Sequence, residues 1–197
     1  MIDNFDRSGY FGASDTSMVI ADNRQTKTWR QWWLVKLGEM ESTFSGSIYT
    51  EAGNKYEHRI LKAISEEITL DRQIIIEKLK LRVNYDGDLD GTIYEVKTHK
   101  AEKDFEISKQ YWRQAQVEMY AYKTMEKELE LPPLKKLYIV SYPLYPDEYY
   151  THREDISIDM KRVKFNPVKY DKQFVKGEYL PKLKECARAL KKGKILT

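Results

Sequence analysis

Apolar residues in GNKYEHRILKAISEEI (53–68) fall at Tyr56, Ile60, Leu61, Ile64 and Ile68, the spacing of one helix face. Upstream, Ser14 or Asp15 is placed to cap a short helix over 15–21, and TWRQWWLVKLGEM (28–40) reads as a helix ending near Gly38. SGSIYTEAGN reads as a loop, with a helix start near Thr50 or Glu51. Beyond residue 71 the pattern changes. RQIIIEKLKLRVNYDGDLDGTIYEVKTHK is rich in β-branched residues and predicts up to three antiparallel strands. ISKQYWRQAQVEMYAYKTMEKEL (107–129) returns to helical spacing, with Trp112, Ala115, Met119 and Tyr122 as its stripe and Gln116 on its border. Pro132-Pro133 ends that helix. KKLYIVSYP (135–143) predicts a buried strand, DISIDMKRVKF (155–165) an edge strand or two short ones, and 168–192 a closing helix. This order predicts a mixed α/β fold: a central mixed β-sheet with an antiparallel hairpin, flanked by helices.

The hairpin carries more acids than a turn needs. With Asp90-Gly91 as the two central residues of a type I′ turn, Leu89 faces Thr92, Asp88 faces Ile93, Gly87 faces Tyr94 and Asp86 faces Glu95. Opposed residues share a side of the sheet, and so do residues two apart, which groups Asp86, Glu95 and Lys97. Two opposed acids repel unless a cation lies between them. Asp and Glu oxygens, a main-chain carbonyl and water suit Mg²⁺ or Mn²⁺. Lys97 beside such an ion is suited to orient a water or stabilise developing phosphate charge. The bland alternative is a solvent-facing hairpin with a Glu-x-Lys pair. Asp88 competes with Asp86, sharing its side one pair nearer the turn. Glu57, three, four and seven residues before Ile60, Leu61 and Ile64, falls on an apolar helix face. Either it serves a site there, or it sits in a wet first turn, where a helix N-terminus favours an acid.

Composition narrows the classes. The chain has 197 residues, 41% of them hydrophobic, which suits one packed domain rather than a disordered chain. One cysteine, Cys186, excludes an internal disulfide framework, a cysteine-held iron–sulfur cluster and a multi-cysteine zinc site. His58, His99 and His152 have no zinc-ligand spacing and read as surface or supporting residues. No run is apolar enough to span a membrane or to act as a secretory leader, so the expectation is a cytoplasmic protein with no membrane partner. Thirty-four basic and 31 acidic residues leave a net charge of +3. That balance is compatible with a protein needing acids for metal and bases for phosphate. The 15 tyrosines read mostly as core-edge packing, a few as base-stacking candidates.

The order of motifs resembles the PD-(D/E)xK nuclease superfamily, more narrowly the lambda exonuclease and YqaJ-type phage recombination exonucleases. RSGYFGASDTSMVIA (7–21) is similar to that family's R-x-G-x-x-x-A-S segment, and GNKYE (53–57) to its G-x-x-Y/F-E helix start. DG…YEVKT (86–98) is similar to the split Asp…Glu-x-Lys core, and QYWRQAQVEMYAY (110–122) to its glutamine helix. The resemblance covers about residues 7–122. Asn84-Tyr85 stands where the family has Ser-Pro, and the Asp-to-Glu spacing is short.

The resemblance implies a single nuclease domain over 1–197. Its core would span about 50–145, with a helical DNA-end-binding part at 1–49 and a C-terminal strand and helix at 150–197. It implies Asp86, Glu95 and the Val96 main-chain carbonyl as metal ligands, with Glu57 or Asp88 as a further one. Lys97 would be the catalytic lysine, and Gln116 would reach the site from the long helix. Arg7 and Ser14 would hold a DNA 5′-phosphate, against their plainer reading as a surface arginine and a helix cap. The expected activity is a Mg²⁺- or Mn²⁺-dependent deoxyribonuclease, a 5′-to-3′ exonuclease resecting duplex ends. A structure- or site-specific endonuclease and a catalytically dead DNA-binding module are the alternatives. Expected partners are double-stranded DNA ends, further copies of the chain and a single-strand annealing protein.

Overall fold

The computed structural model describes residues 8–41, 47–151 and 157–196. In chain order the helices and strands are α1 (Thr16–Val19), α2 (Lys27–Leu37), α3 (Ile48–Ile64), β1 (Thr69–Ile76), β2 (Leu81–Leu89), β3 (Thr92–Lys100), α4 (Lys109–Met125), β4 (Lys136–Leu144), α5 (Pro146–Thr151), β5 (Lys164–Val168) and α6 (Leu180–Lys191). The strands form one mixed sheet in the order β1-β2-β3-β4-β5, with β3 and β4 parallel and the other pairs antiparallel. A parallel pair needs a crossover, and α4 lies in it.

Local chemistry sets the element ends. Thr26, Ser47 and Ser108 cap α2, α3 and α4 by accepting the N–H of Trp29, Thr50 and Tyr111. Gly38 closes α2 with φ of 75°. Asp90 and Gly91 have φ of 46° and 76°, the signs of the expected type I′ turn. A side chain at Gly91 would lie 2.2 Å from the Pro133 carbonyl oxygen, so this turn admits only glycine there.

Three predicted boundaries move. α3 begins at Ile48, because the Ser47 cap outweighs the glycine and asparagine that follow. Glu57 is therefore well inside the helix rather than in a wet first turn. The described part of 155–165 is a short 3₁₀ turn, Met160–Arg162, and the strand falls at Lys164–Val168. The closing helix starts later, with a π-helical turn at Phe174–Tyr179 leading into α6.

Each face of the sheet is covered. On one, Ala52, Tyr56, Ile60 and Leu61 of α3 pack on Val96, Val140 and Tyr142. On the other, Val117, Met119 and Tyr122 of α4, with Trp29, Trp33 and Leu183, pack on Ile74, Val83, Ile93 and Ile139. From Ala115 to Met119 every residue of α4 is buried, so mid-helix it has no wet side.

Candidate active site

The predicted hairpin register forms near the turn, with Leu89 opposite Thr92, Asp88 opposite Ile93 and Gly87 opposite Tyr94. The ladder ends there. The expected direct pairing of Asp86 with Glu95 does not occur, and the cause is a kink running across two strands. The β1–β2 ladder skips Asp71 and Asp86, and Asp71 has φ of 54°. At this level the strands change face. Tyr85 packs in the α4-side core, whereas Gly87, two residues on, abuts Leu61 and Ile68 on the α3 side. Such a reversal turns the residue at the kink sideways. Asp86 accordingly reaches into the opening between β2 and β3, where its Oδ2 accepts the Val96 N–H at 2.7 Å.

Glu95 and Lys97 lie two apart on β3 and face α4, and Lys97 Nζ donates to Glu95 Oε1 at 2.5 Å. Gln114 Nε2 donates to the same oxygen at 2.5 Å and to Glu118 Oε1 at 2.8 Å. Lys97 Nζ also stands 5.3 Å from the ring centroid of Tyr111. Glu95 is only 3% exposed and Glu118 is fully buried, yet among the described residues no donor reaches Oε2 of either one.

The electrostatics follow from this crowding. Burial, then Glu95 and Glu57, holds the Asp86 carboxyl well above the usual range, against Lys97 and the Val96 N–H. Glu57, from α3, is pushed up to about 7 by burial and by Glu95, with Lys97 opposing. Glu118 is raised by burial and by Glu95, with the Gln114 hydrogen bond opposing. Burial works against the Lys97 ammonium, but Glu95 and Asp86 outweigh it and keep Lys97 charged. Among the described residues, the Lys97 ammonium thus faces four carboxyls.

Asp88 is placed elsewhere. It is buried, and its Oδ1 accepts Arg72 Nε at 2.6 Å in an ion pair with β1. Gln116 also does not converge. Its amide bridges Lys169 O at 2.9 Å and Asp171 N at 2.6 Å, tying α4 to the chain beyond β5. Gln114 stands at the acids instead. The two glutamines are two residues apart, hence on nearly opposite sides of the helix. Ser14 lies on an exposed turn and lines a cleft with Tyr10, Lys36, Arg82, Asn84 and Gln114, so this cleft adjoins the acids. Arg7 lies outside the described residues.

Sequence reasoning missed Gln114, Glu118, His58 and Asp71. Glu57, His58 and Asp71 bring ligand atoms within 4.8 Å of one another, and His58 Nε2 lies 3.1 Å from Asp71 Oδ2. This trio shares Glu57 with the larger cluster. For Gln114 and Glu118 the only available signal was their i, i+4 spacing.

A buried set of carboxyl oxygens, one of them on Glu95 without a donor, suits a hard divalent ion. Asp86, Glu95 and the Val96 main chain would hold it, with Glu57 alongside.

The fold, a mixed five-stranded sheet with helices on both faces, is shared with solved structures of exonucleases. The alkaline exonuclease LHK-Exo from Laribacter hongkongensis superposes with a TM-score of 0.62 at 15% identity, over 93% of this chain and 89% of that one. LHK-Exo in complex with dAMP gives 0.61 at the same identity and coverage. The phage-related exonuclease from Haemophilus somnus 129PT gives 0.61 at 17% identity, over 93% and 92%. No protein-family model and no curated protein matches the sequence. Among the described residues no helix is long and apolar enough to cross a membrane.

Proposed function

We propose that this chain is a single-domain, divalent-metal-dependent deoxyribonuclease, working as a 5′-to-3′ exonuclease on duplex DNA ends. One observation carries the reading: buried Glu95, held by Lys97 and Gln114, meets Asp86 and Glu57 where β2 and β3 part. Four acids against one lysine is a poor structural motif and a suitable seat for a cation beside a phosphate. The likeness to the alkaline exonuclease LHK-Exo and to the phage-related exonuclease favours the same activity.

Mg²⁺ or Mn²⁺, when bound, supplies Lewis acidity and a water of lowered pKa. The chain's residues do the rest. Val96 N–H pins one oxygen of Asp86 and leaves the other free to bind. Gln114 and Lys97 fix the Glu95 carboxylate, so little reorganisation accompanies binding. The Lys97 ammonium stays charged beside the position where phosphate charge develops. Ser14, with Arg82 in the adjoining cleft, and Arg7 are suited to receive the 5′-phosphate of an end, whereas Lys36 in that cleft is buried and paired with Asp15. Further copies of the chain and a single-strand annealing protein are the proposed partners, and the host cytoplasm the proposed compartment.

The test is degradation of a 5′-phosphorylated linear duplex. Pure protein with Mg²⁺ or Mn²⁺ degrades it from the 5′ end; chelator abolishes the activity, and Glu95→Ala lowers it by at least about 100-fold. Linear DNA left intact under every divalent ion tried contradicts the nuclease reading. Nicking of closed circular DNA contradicts end dependence alone.

A further inference from the structure

We propose that Glu118 of α4 is a metal ligand of this site, joining Glu95 to hold a divalent cation on the helix side of the hairpin; the proposal rests on the cation-binding reading above.

Glu118 sits in the least likely place for an acid. It is fully buried, flanked in sequence by the core residues Val117 and Met119, on a stretch of helix with no wet side. A buried carboxylate kept for structure is ordinarily matched by an arginine, a lysine or main-chain N–H groups. Among the described residues, the one donor to the Glu118 carboxylate is the Gln114 amide nitrogen, which Glu118 shares with Glu95. Both carboxylates therefore lie within hydrogen-bonding reach of one atom. Each keeps its Oε2 buried and without a donor. Lys97 answers only one charge of the set. An apolar side chain would fill this place in the helix at lower cost. Two unpartnered oxygens on converging buried carboxylates are a hard-cation donor pair. Gln114 then acts as a positioning residue, aligning two ligands through one amide.

The full-length chain is titrated with Mn²⁺ by calorimetry, without DNA, as wild type, Asp86→Asn and Glu118→Gln; thermal unfolding of each is followed in chelator. Glu118→Gln is expected to weaken Mn²⁺ binding at least tenfold without lowering the melting temperature of the cation-free protein, because the amide replaces a buried carboxyl that no cationic side chain pairs with directly. A merely structural Glu118 gives the opposite pattern, a lower melting temperature with unchanged Mn²⁺ affinity, and that overturns the proposal. Wild type that binds Mn²⁺, loses it in Asp86→Asn and keeps it in Glu118→Gln contradicts this inference while leaving the nuclease reading intact. Wild type that binds no Mn²⁺ contradicts both. If Glu118→Gln does not fold, a Mn²⁺-soaked crystal of the wild-type chain decides: an anomalous peak within about 2.0–2.3 Å of a Glu118 carboxylate oxygen supports the assignment, and a peak held by Asp86 and Glu95 without Glu118 overturns it.

Discussion

Three aspartates of one hairpin have three different occupations. Asp86 lies in the opening of the sheet on the Val96 N–H, Asp88 is locked to Arg72, and Asp90 makes the turn and pairs with exposed Lys135. Alanine at each gives separable outcomes. Asp86→Ala is expected to abolish cleavage with the fold retained. Asp88→Ala is expected to cost about 2 kcal/mol, below the full cost of breaking a buried pair because Arg72 reaches water; its cleavage is impaired through loss of folded protein. Asp90→Ala is expected to stay mostly active, losing about 1 kcal/mol to its positive φ. Cleavage rates per folded molecule, beside unfolding curves, check all three.

The raised carboxyls also set a pH dependence. The folded, cation-free chain holds protons on Glu57, Asp86 and Glu118 more tightly than the unfolded chain does. Their contribution to stability is full below the ordinary carboxyl range and is lost as pH rises, for Glu57 through about 7. A divalent cation replaces those protons. The gain in melting temperature on adding Mg²⁺ is therefore expected to be larger near pH 8 than near pH 5.5. The difference between curves with Mg²⁺ and with chelator isolates the site from salt bridges elsewhere, and a gain independent of pH contradicts the assignment.

At the scale of elements, the decisive devices are the shared kink of β1 and β2 and the burial of α4. The kink converts a cross-strand acid pair into an opening with Asp86 in its mouth. The buried middle of α4 admits polar residues on two sides with different tasks. Gln116→Leu is expected to cost about 1–3 kcal/mol, since Lys169 O and Asp171 N lose their partner, with cleavage per folded molecule unchanged. Gln114→Leu is expected to lower cleavage by about tenfold or more with a smaller loss of stability, because Glu95 loses its anchor. Equal effects of the two substitutions contradict the assignment.

The same devices explain what the sequence made legible. Asp90-Gly91 was readable because a type I′ turn demands positive φ at both positions, and that register fixed three pairs correctly. Glu95 and Lys97 followed from the two-residue period of β3. The kink was not readable, since it arises from two strands adjusting together and leaves only an aspartate at positive φ. Gln116 was placed at the site by the family resemblance and at the border of a one-sided apolar stripe, but mid-α4 has no wet side and Gln116 instead ties the helix to Lys169 and Asp171. Glu118 drew no notice for the same reason: a one-sided stripe does not mark it as buried. The start of α3 falls two or three residues before the expected Thr50 or Glu51 because Ser47 supplies the cap, and the helix runs on through Gly53 and Asn54 because Ala52 and Tyr56 pack in the core.

At the scale of the whole molecule, α3 brings Glu57 from one face of the sheet and α4 brings Gln114 and Glu118 from the other, and the two meet only because the sheet opens between β2 and β3. The cleft containing Ser14, Lys36 and Arg82 adjoins that opening through Gln114. The central claim is that a divalent cation occupies the opening. Anomalous scattering from a Mn²⁺-soaked crystal tests it most directly. The predicted result is a peak within about 2.0–2.3 Å of carboxylate oxygens of both Asp86 and Glu95. A peak held by Asp88, or by Glu57, His58 and Asp71 alone, or no peak at saturating Mn²⁺, would contradict it.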